Sequence, residues 1–496
     1  MDSHEEDDRD TLVNRPSEYS PLLSKPNGGY RIDEENKGDY DTIESCVVQT
    51  TWQHELRFLM ASSVPLILTF MLQNSVNLAS IFAVGRMGKV ELGAVSLAIT
   101  TLHITFIAPI QGLASSLDTS CAQAYGNRRY HLVGLQCQRV TLLCLCIAIP
   151  IAILWIFSEP VLLHVVTNPR SAHLTATYLR AMILSMPGTI IFETGKRLLQ
   201  AQGLFRATTY VLLFAAPINI FLNWFLIYQC GLGFIGAPLA VTITRTLLPV
   251  FLVLYIAFIK GSQCWGGFSI RALANWGPMM KLALPSMIMV EAEFLAFEAI
   301  TLMCSTFGTG HLAAWGIIAS MNTVSWQVPF AMSIASSSRI ANLIGAGSPE
   351  AAKTTAKMAF LMTCVVSATT LTIYASARFY IPQLFTSDPS VIAMTAAVLP
   401  IAAVMQFFDG ISTGAHGLLR GIGRQSVGGI ANLVAYYVIS LPISVFLGFK
   451  LGWKLEGFAT GLTVGLITVS AIEYIYLIKA DWYKATKEAE ARNAEG

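Results

Sequence analysis

Apolar stretches of twenty or more residues recur along the chain from Leu56 onward, separated by short polar connections. Each stretch is long enough to cross a ~30 Å hydrocarbon layer, because an α-helix rises ~1.5 Å per residue. The pattern therefore predicts twelve membrane-spanning helices. Their expected bounds are 57–84, 91–116, 134–157, 173–194, 207–229, 235–259, 279–305, 311–337, 354–380, 390–416, 427–449 and 456–478.

The second six stretches repeat the first six at an offset of about 220 residues. Prolines and glycines in similar local contexts mark the repeat. The pairs are Pro65 with Pro285, Pro109 with Pro329, Gly203 with Gly423, Gly126 with Gly345, and Gly236 with Gly457. Two membrane halves of this kind place a substrate site at their interface. The prediction is an all-α integral membrane protein of twelve transmembrane helices, with two six-helix repeats, or lobes, around a central cavity.

Composition divides the chain into five parts. Residues 1–50 hold 13 acidic and 5 basic residues and few large apolar ones, so residues 1–55 are predicted to be a disordered, acidic, cytoplasmic tail. The lobes are expected at 56–259 and 279–478, joined by a cytoplasmic linker at 260–278. Residues 479–496 are expected to be a short, polar, cytoplasmic C-terminal tail.

The distribution of Lys and Arg predicts the orientation. One set of connections carries most of them, for example Arg128, Lys196 and Arg424, whereas the alternate set carries few. Connections rich in Lys and Arg stay in the cytoplasm, so both termini are expected there.

A charged side chain inside a membrane span costs ~2.5–3.5 kcal/mol on insertion scales. Among the acids inside the predicted spans, four are singled out as candidates: Glu291, Glu293, Glu298 and Asp409, all in the second half. Glu293, Glu298 and Asp409 are candidates for binding a coupling proton or cation, and a purely structural role is the alternative. Glu291 and Glu298 share one helix face and Glu293 points away from both, so the three glutamates should not line one cavity wall.

The first half carries amides at comparable depth. Gln73 is the 220-residue partner of Glu293, Asn77 lies one turn further, and Asn219 and Asn223 are one turn apart. These side chains either line the cavity or hold helices together. Trp315 and Glu291 are further candidates for the cavity, with apolar packing as the alternative for Trp315.

Enzyme motifs are absent from the sequence. It has no Walker loop, no dinucleotide fingerprint, no H-E-x-x-H and no histidine pair with metal-ligand spacing. We therefore expect no enzymatic activity, no cofactor, no metal and no nucleic acid partner. Lys and Arg are assigned to the edges of the spans.

Four stretches carry a resemblance to a known family: 114–126 (ASSLDTSCAQAYG), 281–289 (KLALPSMIM) running into Glu293 and Glu298, 406–410 (QFFDG) and 418–425 (LLRGIGRQ). With them, the chain resembles the multidrug and toxic compound extrusion (MATE) family, in its eukaryotic branch. The resemblance implies a V-shaped pair of lobes, cation-coupled export of organic compounds, and proton handling by Glu293, Glu298 and Asp409. The chain departs from the family at Phe294 and Leu295, where eukaryotic members usually have two tryptophans.

The predicted function is proton-coupled antiport that exports small organic compounds, such as xenobiotics or metabolites. A lipid or lipid-linked oligosaccharide flippase of the same architecture is the alternative, although such a cavity should carry several bases. The expected partners are a small organic substrate, a coupling proton (with sodium as the alternative) and the lipid bilayer, and the expected state is a monomer.

The acidic tail contains one candidate sorting signal. Glu18, Leu22 and Leu23 fit the acidic dileucine pattern E-x-x-x-L-L. The signal favours a vacuolar, lysosome-like membrane, and the plasma membrane remains the alternative.

Overall fold

The computed structural model describes residues 50–165 and 168–495. Glu18, Leu22, Leu23 and nearly all of the predicted acidic tail lie outside the described residues. The described part is built from helices joined by short connections.

Twelve long helices occur at the positions that the apolar pattern predicts. They are α1 (Trp52–Gly85), α2 (Val90–Gly126), α3 (Tyr130–Ile156), α4 (Pro169–Ala201), α5 (Arg206–Gln229), α6 (Gly233–Phe258), α7 (Gly277–Ser305), α8 (Thr309–Gly345), α9 (Pro349–Ser376), α10 (Pro389–Ile422), α11 (Gln425–Lys450) and α12 (Lys454–Lys479).

Ten of these helices are long and apolar enough to cross a membrane by composition alone, within the described residues. The other two, α7 and α8, are equally long but carry more polar side chains, among them three glutamates on α7. Polar side chains are tolerated at membrane depth where they face protein or a cavity instead of lipid. The predicted all-α fold with two six-helix lobes is confirmed.

Helix α2 is not regular throughout. A π-helical turn covers His103–Ile107, immediately before Ala108 and Pro109. Proline has no N–H to donate to the preceding turn, and a wider turn accommodates the missing hydrogen bond. Such turns often occur at functional sites, and this one contains His103, which reaches the cavity described below.

The two lobes pack tightly where α2 and α8 end. A Cβ atom on Gly126 would overlap the carbonyl oxygen of Asn342, and one on Gly345 would overlap that of Gln123. The two contacts are equivalent, because both pairs of residues are related by the repeat. The glycine pair that marks the repeat in the sequence therefore marks a closing contact between the lobes, since only glycine lets two backbones approach this closely.

Ion pairs join the lobes on the same side of the molecule. Glu55 at the start of α1 accepts hydrogen bonds from Arg339 of α8 at 2.6 and 2.9 Å. Asp118 of α2 pairs with Arg197 of the same lobe and lies 3.8 Å from Arg420 of the other. We call this side, where Thr50 and the last described residues lie, the terminal face.

A further helix, α13 (Trp482–Glu495), lies on the terminal face. Its buried stripe of Trp482, Ala485 and Ala489 packs on the second lobe. Near its end, Arg492 donates to Gln123 of the first lobe at 2.9 Å. The region predicted to be a short polar tail is therefore a packed helix. The apolar stripe is made mostly of alanine, which gives a weak signal in sequence.

The connection between the lobes packs on the first lobe. The side chain of Gln138 on α3 donates to the carbonyl of Gly267 at 2.7 Å and accepts from the amide of Ser269 at 3.0 Å. Cys264 is fully buried there, and burial raises the pKa of its thiol to about 12. This thiol is therefore a packing group and not a reactive one.

Candidate functional site

A cavity of about 440 Å³ lies between the two lobes. Helices α1, α2, α4, α5 and α6 line it from the first lobe, and α7, α8 and α10 line it from the second. On α1 the lining begins at Phe70, more than halfway from the terminal face. The cavity therefore extends from about the middle of α1 towards the end remote from the terminal face, where the lobes do not close on each other.

The two lobes contribute equivalent positions of the repeat to the cavity lining. Most lining residues of α1, α2 and α4 have lining partners 220 residues later. The pairs are Gln73 with Glu293, Asn74 with Phe294, Asn77 with Phe297, Leu78 with Glu298, Ile81 with Thr301, Ile99 with Ala319, His103 with Thr323, Ile107 with Gln327, and Thr189 with Asp409. The helices around the cavity are thus related by the repeat, whereas the side chains that line the cavity differ between the two lobes.

Three carboxyl groups line the second-lobe wall: Glu293, Glu298 and Asp409. Glu293 and Glu298 are ~140° apart around α7 at ~100° per residue, yet both reach the cavity. The lining side of α7 is broad enough to include both, because Phe297 and Thr301 lie between them in angle. Glu291 is not among the residues that line the cavity, so two of the three glutamates of α7 share this wall although they are ~140° apart.

Glu293 and Asp409 lie within hydrogen-bonding reach of each other. Asp409 is buried, and one of its oxygens accepts from Gln406 at 3.3 Å. No Lys or Arg within the described residues forms an ion pair with Glu293, Glu298 or Asp409. Without such a partner, a buried carboxyl pair can share one proton in preference to carrying two charges.

A second titratable pair lies beyond Asp409 on the side towards the terminal face. His416, two turns further along α10, has its Nε2 3.2 Å from Oε1 of Glu473 on α12. Both side chains are buried, and Glu293 interacts electrostatically with both. The second lobe thus contains four connected titratable groups.

The first lobe holds its acid in an ion pair. Glu193, which lines the cavity, accepts from Lys196 at 2.7 Å and from Gln73 at 3.2 Å. Lys196 is fully buried and also lies 5.4 Å from the centre of the Phe70 ring. The lysine ammonium thus contacts both a carboxylate and an aromatic ring. Glu193 is therefore not an unpaired acid.

One cation faces the cavity from the first lobe. Arg245 of α6 lines the cavity and donates one hydrogen bond, to Oδ1 of Asn77 at 3.4 Å. It forms no ion pair with any described carboxylate. The assignment of every Lys and Arg to the span edges is wrong at this position. Arg245 is the single charged residue of Gly236–Phe258 and could have been found by that signal.

Aromatic rings also line the cavity. Trp326 and Phe330 of α8 stack with ring centres 4.2 Å apart, and Phe294 of α7 meets Trp326 edge-on at 6.1 Å. The His103 ring of the first lobe lies 6.4 Å from that of Phe294. These rings give the cavity apolar surface beside its charged groups.

Comparison with known proteins places the chain in a family. The MatE family profile matches residues 65–225 and again residues 285–446, so the two matches begin 220 residues apart. The chain belongs to the MatE family. The resemblance noted in the sequence is confirmed.

Relatives of this MatE protein cover most of its length. It is 37% identical to an uncharacterised transporter of Schizosaccharomyces pombe over 94% of this chain and 87% of that one. It is 33% identical to multidrug and toxin extrusion protein 1 of Xenopus tropicalis over 90% of this chain and 77% of that one. Its fold matches the crystal structure of the eukaryotic MATE transporter AtDTX14 with a TM-score of 0.85, at 26% identity, over 89% of this chain and 99% of that one.

Two amides of this MatE protein do not reach the cavity. Asn219 donates to Thr244 at 3.0 Å, and Asn223 donates to Oδ1 of Asn219 at 3.1 Å. Ser80 of α1 donates to Asn223 at 3.1 Å. All these side chains are buried, so the two asparagines tie α5 to α1 and α6. The structure places them among the helix contacts and not in the predicted cavity lining.

Of the remaining predicted residues, some line the cavity and others do not. Gln73 and Asn77 line the cavity, as described above. Trp315 also lines it, but only 1% of its surface is exposed and its indole donates to Thr301 at 3.0 Å, so it supports the wall. Glu291 is half-buried and does not line the cavity. It interacts electrostatically with Tyr437 of α11.

Proposed function

We propose that this MatE protein is a proton-coupled antiporter that exports small organic compounds, with no enzymatic activity. The observation that supports this function is the set of cavity carboxyls on one lobe, Glu293, Glu298 and Asp409, without a Lys or Arg ion-pair partner among the described residues. The names of its relatives, which include multidrug and toxin extrusion protein 1, support an export function.

The coupling step follows from competition at the Glu293 and Asp409 pair. A proton that binds there removes negative charge from the cavity wall and weakens the attraction for a positively charged group of the substrate. Substrate binding in turn favours loss of the proton. Proton and substrate would therefore occupy the cavity in turn, and the proton gradient would drive export. Sodium is the alternative coupling ion.

Closure of the cavity on the terminal face supports alternating access. The ion pair Glu55–Arg339, the approach of Arg420 to Asp118 and the close backbone contacts at Gly126 and Gly345 hold the lobes together there. Export requires these contacts to separate so that the cavity can open towards the terminal face. We propose that this face is cytoplasmic, although four of the bases that support the orientation are buried within helices. They are Lys196, Arg197, Arg339 and Arg420.

A flippase for lipid-linked sugars fits this cavity less well. A pyrophosphate group needs several cationic side chains, and the cavity presents Arg245 opposite three carboxyl groups. Proposals that the protein is monomeric and that Glu18, Leu22 and Leu23 direct it to a vacuolar membrane, with the plasma membrane as the alternative, rest on the sequence alone.

The experiment that tests the function uses purified protein in liposomes. A counterflow screen of organic compounds, with and without a pH gradient, identifies a substrate and shows whether the gradient drives its movement. We expect accumulation that requires the gradient in the wild type. Equal accumulation with sodium and no pH gradient would contradict proton coupling.

A further inference from the structure

The geometry points to a zwitterionic substrate, a molecule with an aromatic or apolar body, an anionic group bound by Arg245 and a cationic group bound by Glu293 and Glu298. This inference deepens the proposed function and rests on its premise that the cavity is the transport site. It names a ligand class that follows from the charge pattern of this chain.

The first-lobe wall provides an unsatisfied anion site. A guanidinium group carries five N–H donors, and Arg245 uses one of them in a 3.4 Å hydrogen bond to Asn77. Arg245 is half-buried and forms no ion pair with a described carboxylate. It interacts only electrostatically with Glu193, which is itself paired with Lys196. Its planar fork matches a carboxylate group and can bind it through two parallel hydrogen bonds. An anionic group of a ligand is the partner that this side chain lacks.

The second-lobe wall provides the opposite charge. Glu293 and Glu298 line the cavity on α7, and the repeat places neutral Gln73 and Leu78 at the matching positions of α1. Likewise, Arg245 has no cationic counterpart. At the 221-residue offset of Gly236 and Gly457, its partner is Leu466, a buried core residue. The two walls are therefore opposite in charge, and within the described residues no ion pair joins them.

Aromatic rings line the cavity beside the charged groups. The stacked rings of Trp326 and Phe330 and the edge-on ring of Phe294 offer flat surfaces for an aromatic body. The cavity volume of about 440 Å³ suits a small organic molecule. A ligand that spans this space meets a cation at one wall and carboxylates at the other.

Singly charged ligands satisfy only one wall. A plain organic cation pairs with Glu293 or Glu298 but leaves Arg245 without an anion. A plain organic anion pairs with Arg245 but adds negative charge to a cavity with three carboxyl groups. A zwitterion satisfies both walls at once, and its cationic end still competes with the coupling proton, as antiport requires.

The test compares three probes that share one aromatic body. They are 4-(aminomethyl)benzoic acid, a zwitterion with its charges at opposite ends of the ring, its methyl ester, which is only cationic, and its N-acetyl derivative, which is only anionic. Equilibrium binding is measured with purified full-length protein in detergent, without a membrane or gradient. We expect the zwitterion to bind roughly 10-fold or more tightly than either analogue, the worth of one charge-assisted hydrogen-bonded pair.

The variant Arg245→Gln should lose this preference. Its affinity for the zwitterion should fall about 10-fold, while its affinity for the methyl ester should stay the same or rise. Arg245→Lys keeps the charge without the fork and should be intermediate, which keeps the test usable if Arg245→Gln folds poorly. Arg180→Gln removes an arginine of α4 that pairs with Glu159 outside the cavity and should bind all three probes like the wild type.

Three outcomes would overturn the inference: methyl ester binding as tight as that of the zwitterion, an equal loss of both in Arg245→Gln, or no binding of the zwitterion. The result is separable from the proposed coupling. Selective zwitterion binding without gradient-driven transport in liposomes leaves the ligand class standing and removes proton antiport. Gradient-driven transport with a preference for the methyl ester would leave proton antiport standing and remove the zwitterionic ligand class.

Discussion

The two lobes share a backbone plan and differ in the charges that they present to the cavity. Where the second lobe has Glu293, Glu298 and Asp409, the first has Gln73, Leu78 and Thr189, each 220 residues earlier. Where the second lobe has His416 beside Glu473, the first has Lys196 beside Glu193. Duplication supplies the cavity, and later divergence at a few matched positions supplies different chemistry to each wall.

The difference between Lys196 and His416 is informative, because they occupy equivalent positions. Lys196 forms an ion pair with Glu193, the acid that lines the cavity from the described part of the first lobe. Histidine, which lies beside Glu473 in the second lobe, is the side chain that most often serves as a proton switch. We therefore assign proton exchange to the second lobe, and we expect the ion pair of Lys196 with Glu193 in the first lobe to keep its charges during transport. Each prediction below is a way to break or sharpen that assignment.

The largest effect is expected from Glu293→Gln and Asp409→Asn. Each variant keeps the shape and hydrogen bonding of the side chain but cannot exchange a proton, so gradient-driven uptake into liposomes should be abolished. The matched first-lobe control is Thr189→Val, at the position equivalent to Asp409, which should retain gradient-driven uptake because threonine exchanges no proton. Gradient-driven accumulation by Glu293→Gln would remove the proton role from this residue.

The next effect concerns stability. Lys196→Met leaves Glu193 buried without its cation, and breaking a buried pair in this way costs about 3–5 kcal/mol. We expect a marked drop in the thermal unfolding temperature of the purified protein. The double variant Glu193→Gln with Lys196→Met should recover most of the loss, since no unpaired charge remains. A double variant as unstable as the single one would show that Lys196 acts through packing and not through charge.

The repeat, the helices and the cavity-lining acids of the second lobe could be predicted from the sequence, because apolar runs and charges inside them are local signals; Glu473, in the predicted span 456–478, was missed. The surroundings towards which a side chain points depend on tertiary packing and are not a local signal in the sequence. Asn219 and Asn223 share a face in any helix, but only the packing of α5 on α1 and α6 shows that the face is a helix contact. Similarly, the breadth of the cavity around α7 decides that Glu298 joins Glu293. Arg245 was within reach of sequence analysis and was missed.

A smaller effect is expected from His416→Gln. This side chain does not line the cavity, so it should act on Glu293 through charge and leave substrate affinity unchanged. We expect the transport rate at a fixed gradient to fall roughly 2- to 30-fold, which corresponds to about 0.5–2 kcal/mol of coupling between connected residues. The pH at which transport is half-maximal should also move. A variant with lower substrate affinity and an unchanged pH profile would indicate a structural role instead.

The smallest effect is expected on stability, when buried polar contacts at matching positions of the two lobes are removed. Asn223→Ala removes the acceptor of Ser80 and the donor to Asn219, and an unsatisfied buried group costs about 1–3 kcal/mol. The matching change 221 residues later, Ser444→Ala, removes one weak hydrogen bond of 3.4 Å to Phe458 and should cost less. Thermal unfolding measures both, and neither variant should alter substrate affinity.

The most direct test asks where the protein binds its proton. Infrared difference spectra of the reconstituted protein between high and low pH report protonation of carboxyl groups without any need to know the substrate. We predict a protonated-carboxyl signal in the wild type that is retained in Glu193→Gln and lost in the double variant Glu293→Gln with Asp409→Asn. An undiminished signal in that double variant would contradict the assignment of proton exchange to the Glu293 and Asp409 pair of the second lobe.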